Sequence, residues 1–356
     1  MSEVRAKKAL GQHFLVDLNI ARKICDALSG GVRPEAGAET RAVAAGSADA
    51  DAEIRTRVAG YAGAGAEART MAVGSADAWA EARTKATGTA DADAETRRGV
   101  VASADARLAA DTTAAGAPAA AEEERGGAVP CDVLEVGCGM GVLTQFLLRR
   151  GDITTYGAEI DPESVGYLHA HFPEFAPRLI EGDFLKMNLR ERFPRGLKII
   201  GNFPYNISSQ IFFKVLEHRD LVPECVGMIQ KEVAVRIAEP PGSKEYGILS
   251  VLLQAWYDIE YLFTVNETVF NPPPKVKSAV IRLRRNSVGR LGCDEALFVK
   301  VVKASFGQRR KMIRNSLRTV FGDFGGAEHP FFTQRAEQLS VADFVQLTNW
   351  VAANRK

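Results

Sequence analysis

The tetrapeptide Asn202-Phe203-Pro204-Tyr205 follows the apolar run Leu197-Lys198-Ile199-Ile200-Gly201. It places an amide, a proline-adjacent carbonyl and an aromatic face where a buried strand stops, equipment suited to a flat ring bearing an amino group. An exocyclic amine on a nucleobase is a poor nucleophile because its lone pair is delocalised into the ring. The Asn202 side-chain oxygen and the backbone carbonyl of the Phe203-Pro204 region can accept from its two N–H groups and favour a pyramidal nitrogen, while Tyr205 stacks on the ring. Taken alone, the tetrapeptide is also an ordinary strand-to-turn junction, since Asn and Pro are common turn residues. Its neighbours in the chain must decide.

The elements that would position it repeat one pattern. Cys131-Asp132-Val133-Leu134-Glu135-Val136 reads as a buried strand, followed by the glycines Gly137, Gly139 and Gly141 and a helical stretch from Val142 to Leu148. Strand, glycine turn and helix open a doubly wound nucleotide fold, although the spacing is G-x-G-x-G rather than that of the dinucleotide fingerprint. A plain tight turn is the competing reading. A second strand, Thr154 to Ala158, ends in Glu159, twenty residues beyond Gly139 and suited to ribose hydroxyls. A third, Arg178 to Gly182, ends in Asp183, and Asn202 ends the fourth. In an open parallel sheet the carboxyl ends share one edge, so the glycines, Glu159, Asp183 and the Asn202 tetrapeptide should converge on one crevice.

The rest of the chain divides by composition. At 356 residues and 46% hydrophobic it can bury a core and form two domains. Residues 31–128 change abruptly to Ala, Gly, Thr, Asp, Glu and Arg and repeat with a step of fourteen, as Glu39-Thr40-Arg41, Glu53-Ile54-Arg55 and Glu67-Ala68-Arg69 illustrate. Units offering mainly alanine, with a glycine in most, cannot bury neighbours as a solenoid does, so this is expected to be a low-complexity, disordered insert. The net charge of +1 hides an asymmetry: Lys275 to Arg318 holds thirteen Lys or Arg against Asp294 and Glu295. That is the footprint of a site for a polyanion. Arg309, Arg310, Lys311 and Arg314 are expected on a helix from about 305 to 320, within a small helical domain of residues 287–356 that also includes a helix from 341 to 353. Phe212 and Phe213 read as core, and His169, His171, His218 and His329 as surface residues without a role. The five cysteines form no C-x-x-C pair and no His cluster has ligand spacing, so no metal site is expected. No apolar leader precedes Lys7-Lys8 and no run reaches a membrane span, so a soluble, cytoplasmic, monomeric protein without membrane association is expected.

With these motifs in order, the chain resembles the S-adenosylmethionine-dependent rRNA adenine N6,N6-dimethyltransferases. The resemblance is to the branch that modifies two adjacent adenines near the 3′ end of small-subunit (16S) rRNA. It is carried by Leu10-Gly11-Gln12-His13-Phe14-Leu15, Gly201 to Ser208, Gln230-Lys231-Glu232-Val233, Pro272-Pro273-Pro274-Lys275-Val276 and Phe306 to Lys311. It implies a Rossmann-like class I methyltransferase sheet with helices on both faces over residues 129–286, completed by an N-terminal segment of residues 1–30. It also implies S-adenosylmethionine as cofactor, held by His13, Leu15, Gly137, Gly139, Gly141, Glu159, Asp183 and Asn202. Asn202, Pro204 and Tyr205 would serve the target adenine, and rRNA in an assembling small subunit would be the partner, held by the basic residues near 310. Many relatives carry Asn where this chain has His13. Two rivals share parts of the pattern: the large-subunit rRNA methyltransferase of macrolide resistance, and a non-catalytic nucleic-acid-binding relative. A nicotinamide dehydrogenase is disfavoured by the glycine spacing.

Overall fold

The computed structural model describes Val4, Lys7, residues 10–30 and residues 130–355. The fourteen-residue repeats lie outside the described residues. In chain order the elements begin with β1 (Phe14–Leu15), α1 (Leu18–Asp26), β2 (Cys131–Val136), α2 (Thr144–Leu147), β3 (Ile153–Glu159), α3 (Pro162–His171) and β4 (Leu179–Glu181). They continue with α4 (Leu189–Arg192), β5 (Lys198–Asn202), α5 (Ser208–Glu217), β6 (Glu224–Gln230), α6 (Lys231–Ala238) and α7 (Ile248–Gln254). β7 (Tyr257–Val265), β8 (Phe270–Asn271), β9 (Ser278–Arg285), α8 (Glu295–Gly307), α9 (Ile313–Phe321) and α10 (Val341–Asn354) complete the set.

Seven strands form one sheet in the order β4-β3-β2-β5-β6-β9-β7, with β4 to β6 parallel and β9 and β7 antiparallel at one edge. Alternation along buried strands sends successive side chains to opposite faces. Ile199, Cys225 and Ile281 join the core under α5, α6 and α7, while Ile200, Val226 and Val280 join Ile24, Leu28 and Leu147 on the other face. The expected α/β architecture with helices on both faces is what forms. Leu297, Phe298, Ile313, Leu317, Phe344 and Leu347 of α8, α9 and α10 belong to the same buried cluster as Ile199 and Phe212. Phe212 is fully buried and Phe213 packs against this core. Among the described residues no helix is long and apolar enough to cross a membrane.

One expectation fails here. A single basic helix across residues 305–320 does not form: α8 stops at Gly307, Gln308 leaves helical geometry with φ −125° and ψ 57°, and α9 restarts at Ile313. Extended Met312, with φ −66° and ψ 152°, bridges antiparallel to Arg335, so the Arg309-Arg310-Lys311 run lies on the turn between two helices. His329 also departs from the surface reading. It is half-buried against Trp350, Phe331 and Phe332, and accepts the Phe331 N–H on Nδ1.

The chain ends that flank residues 31–129 are fixed at one place. Cys131 opens β2 beside Ile153, and Gly30 lies against the Asp152 carboxylate. Both therefore leave at the amino-terminal edge of the parallel strands, opposite their carboxyl ends. Ser29 is clamped there: its N–H and hydroxyl donate to Glu224, Lys198 Nζ reaches the Ser29 carbonyl at 2.9 Å, and Arg150 binds the Cys25 and Leu28 carbonyls. Lys198 and Glu224 pair at 3.0 Å; burial pushes the Glu224 carboxyl up, but Ser29 and Lys198 outweigh it and hold it below its usual range. Deletion of residues 36–125 is thus expected to preserve the fold. Shortening the connection roughly tenfold removes about three doublings of loop length, worth ~2 kcal/mol of closure entropy in favour of the shortened chain. Denaturant unfolding of both forms checks this, and loss of stability would show that the repeats support the fold.

Candidate active site

The carboxyl ends of β2, β3, β4 and β5 surround a crevice of about 300 Å³. Its walls include His13 and Phe14 from the N-terminal segment, Gly137 and Gly139 after β2, Glu159 at the end of β3, Asp183 after β4, and Asn202, Pro204 and Tyr205 after β5. The predicted convergence of strand ends is therefore observed. Leu15 and Gly141 do not line the crevice. Strand alternation turns Leu15 into the core and Phe14 toward the crevice, with the Phe14 ring 3.2 Å from where a Gly139 β carbon would stand. Gly141, at φ +74°, sits where a β carbon would strike Phe172, so its role is close packing of the helix that follows β3.

Glu159 already organises the glycine turn. One carboxylate oxygen accepts the Gly139 N–H at 2.8 Å, and the other accepts the Ile160 and Asp161 N–H groups. Burial pushes this carboxyl up and the three amides oppose that. A carboxylate offers about four lone-pair sites, so one is left for a ligand hydroxyl. Asp183 caps the 3₁₀ turn Phe184–Lys186 by accepting the Leu185 N–H on Oδ1 at 2.9 Å, which leaves Oδ2 for a ligand donor. Lys214 on α5 ties down this turn by donating to the Leu185 and Met187 carbonyls at 2.9 and 2.6 Å.

Asn202 is oriented by a residue far away in sequence. Its Nδ2 donates to the His13 backbone carbonyl at 3.0 Å. A carbonyl can only accept, so the amide nitrogen must face it and Oδ1 is left as a free acceptor. Phe203 anchors the strand end, fully buried over Gly201 and Gly227 and edge-on to Phe212. The Pro204 carbonyl already accepts the Ile207 N–H at 3.1 Å, keeping one lone pair. The Tyr205 hydroxyl meets Ser278 Oγ at 2.5 Å and its ring lies 5.5 Å from that of His13, whose Nδ1 donates to the Pro272 carbonyl at 2.9 Å. Burial pushes the Tyr205 phenol up, opposed by Ser278.

The N-terminal segment is pinned by a residue to which the sequence reading gave no role. Buried Asp161 receives Lys7 Nζ at 2.5 Å and Gln12 Nε2 at 3.3 Å. Burial pushes its carboxyl up, but the Lys7 and Gln12 donors outweigh this and hold it below the usual range. Asp161 could have been sought through the acidic pair of Glu159 and Asp161 that closes β3, whereas no sequence signal singles out Phe14 or Lys214. The basic residues sit elsewhere: Arg309 donates to the Lys244 and Tyr246 carbonyls, Arg314 pairs with Glu328, and Arg310 and Lys311 are exposed. None of the four lines the crevice.

Behind the glycine turn, fully buried Glu135 receives the Thr144 hydroxyl at 2.6 Å, and burial pushes its carboxyl up to about 8. A carboxyl raised on folding favours the native state below its unfolded value near 4.5, and that contribution is lost as pH rises toward 8. Glu135→Gln keeps an acceptor for Thr144 without the charge. The variant is expected to be more stable than the parent at pH 8, by on the order of 1–3 kcal/mol, with a flatter profile between pH 5 and 8. Thermal unfolding across that range checks the sign.

Comparison with known proteins agrees with this geometry. Residues 130–353 match the family model described as ribosomal RNA adenine dimethylase. A Parabacteroides distasonis protein named ribosomal RNA small subunit methyltransferase A is 61% identical over 61% of this chain and 81% of its own length. A Bacteroides thetaiotaomicron protein of the same name is 60% identical over 62% and 82%. Among solved structures, a dimethyladenosine transferase from Plasmodium falciparum is 26% identical and superposes with a TM-score of 0.52, covering 63% of this chain and 90% of that one.

Proposed function

The chain belongs to the ribosomal RNA adenine dimethylase family, and from that premise we propose that its crevice dimethylates the N6 amines of two adjacent adenines near the 3′ end of small-subunit (16S) rRNA. The observation that carries the reading is Asn202 Oδ1, which receives no hydrogen bond from any described residue and is oriented in the crevice by the bond of Nδ2 to the His13 carbonyl. The protein is an enzyme, an rRNA adenine dimethyltransferase, and S-adenosylmethionine is its proposed methyl donor.

The residues present fit that donor. Gly137 and Gly139 offer bare backbone, Glu159 keeps a lone-pair site for ribose hydroxyls, and Asp183 Oδ2 can accept from an adenine amine. When bound, the cofactor would supply a methyl group on a positively charged sulfur that leaves as a neutral thioether, and the methylated N6, acidified by its positive charge, would lose one proton to solvent at each transfer. The protein's task is therefore orientation more than acid or base catalysis. Asn202 Oδ1 and the spare lone pair of Pro204 would accept the two N6 hydrogens, drawing the amine out of conjugation and aiming its lone pair. Tyr205, held by Ser278, would stack on the ring. An adenine must leave its stack to enter, and unpaired loop bases are the easiest to extract.

In this reading Arg310 and Lys311, on the exposed turn before α9, contact phosphates without reading sequence, while Arg309 and Arg314 shape that turn through their own partners. The setting we propose is a monomer acting in the cytoplasm on an assembling small subunit. The test is a side-by-side incubation of unmodified small and large ribosomal subunits with methyl-labelled S-adenosylmethionine. Label confined to small-subunit rRNA is expected; label on large-subunit rRNA instead would move the protein to the macrolide-resistance type.

A further inference from the structure

Beside the crevice lies a second cavity of about 450 Å³, within the size range of small-ligand sites. Gly11, Gln12, His13 and Tyr205 line both cavities, and the rings of His13 and Tyr205 form part of the partition between them. The far walls are Gln230 at the end of β6, the rings of Pro272 and Pro273, and Lys275 and Val276 on the segment leading into β9. Gln230 pairs with Ser278 across the β6–β9 ladder, and Ser278 holds the Tyr205 hydroxyl. The Gln230 amide is thus registered against the partition. It makes no hydrogen bond to any described residue, and Lys275 and Val276 are exposed.

These features have the chemistry of a nucleotide subsite. Proline and aromatic faces stack on a base, an exposed lysine suits a phosphate, and a glutamine amide is the side chain that pairs bidentately with adenine through a donor and an acceptor. Resting on the dimethylation reading above, we propose that this cavity holds the adenine adjacent to the target in the same RNA strand. In that arrangement Gln230 reads its edge and Lys275 meets its phosphate. The partition of His13 and Tyr205 would then stand between two neighbouring bases, one presented for transfer and one counted.

The test uses small subunits in which either one of the two adjacent adenines is replaced by G, C or U. Methylation of the remaining adenine is followed by mass spectrometry with the full-length protein. Wild type is expected to favour an adenine neighbour by about tenfold or more, the usual worth of a bidentate amide–base pair. Gln230→Ala should reduce that preference to below about twofold, and Gln230→Glu should shift it toward cytosine, which donates to a carboxylate. Lys275→Ala should raise KM for every substrate alike without changing the preference. Full preference retained by Gln230→Ala, or an active wild type indifferent to the neighbour, overturns this inference alone. A wild type that methylates neither adenine overturns the dimethylation reading and this inference with it.

Discussion

Replacing Asn202 with alanine is expected to lower methyl transfer by roughly 10²–10³-fold, the loss that follows removal of one preorganised polar group aimed at the reacting atom. The amide has two tasks in this geometry. Nδ2 satisfies the His13 carbonyl, and Oδ1 is the free acceptor for the target amine. Alanine removes the acceptor and leaves the carbonyl without its donor, at about 1–3 kcal/mol if water does not replace it. Unfolding should therefore change modestly while turnover collapses, with cofactor affinity falling by less than about tenfold. Asn202→Asp separates the two tasks: it keeps an acceptor but sets a carboxylate against the His13 carbonyl. Its turnover should also collapse if orientation by Nδ2 matters, whereas substantial activity would show that any acceptor suffices. Single-turnover labelling with saturating substrate, beside calorimetric titration of the cofactor, resolves transfer from binding.

The second large effect is structural. Gly201→Ala should destabilise the protein by about 3 kcal/mol or more and lower its Tm by about 6 °C or more. A β carbon on Gly201 would stand 2.5 Å from the Val136 carbonyl oxygen and 2.8 Å from the Phe203 ring. The carbonyl belongs to the neighbouring strand β2, so it cannot yield without opening the β2–β5 ladder beside the crevice. The Phe203 ring is equally confined, since a Gly227 β carbon would approach it at 2.5 Å. Gly201 immediately precedes Asn202, so whatever folded population survives should also transfer poorly, because a displacement near 1 Å can cost about 10²-fold. Circular-dichroism melting and activity of the remaining soluble fraction measure the two consequences.

The crevice was legible because its parts repeat one rule. Apolar strands end in Gly137, Glu159, Asp183 and Asn202, and parallel pairing brings those ends to one edge. What stayed hidden depends on contacts between distant segments. Nothing near residue 202 announces that the His13 carbonyl, 189 positions away, fixes the amide. The two-residue pairing of Phe14 and Leu15 with Asn271 and Phe270 decides which of them faces the crevice, and so short a strand carries no periodic signal. Nothing in the basic run at 309–311 marks the break between two helices. Tertiary contacts of Arg309 with two carbonyls and of Met312 with Arg335 favour a turn there instead. Gly141 shows the same limit: its spacing matches a ligand-binding glycine, yet Phe172 occupies the space a side chain would need.

The most direct test of the account is the nucleoside content of small-subunit rRNA after reaction. Unmodified small subunits would be incubated with the protein and S-adenosylmethionine, and the rRNA digested and quantified by mass spectrometry. Two N6,N6-dimethyladenosines per subunit are expected, at adjacent positions near the 3′ end, with roughly a hundredfold less or lower in the same time from Asn202→Ala. A protein that binds the cofactor yet leaves those adenines unmethylated in assembly-competent subunits would contradict it.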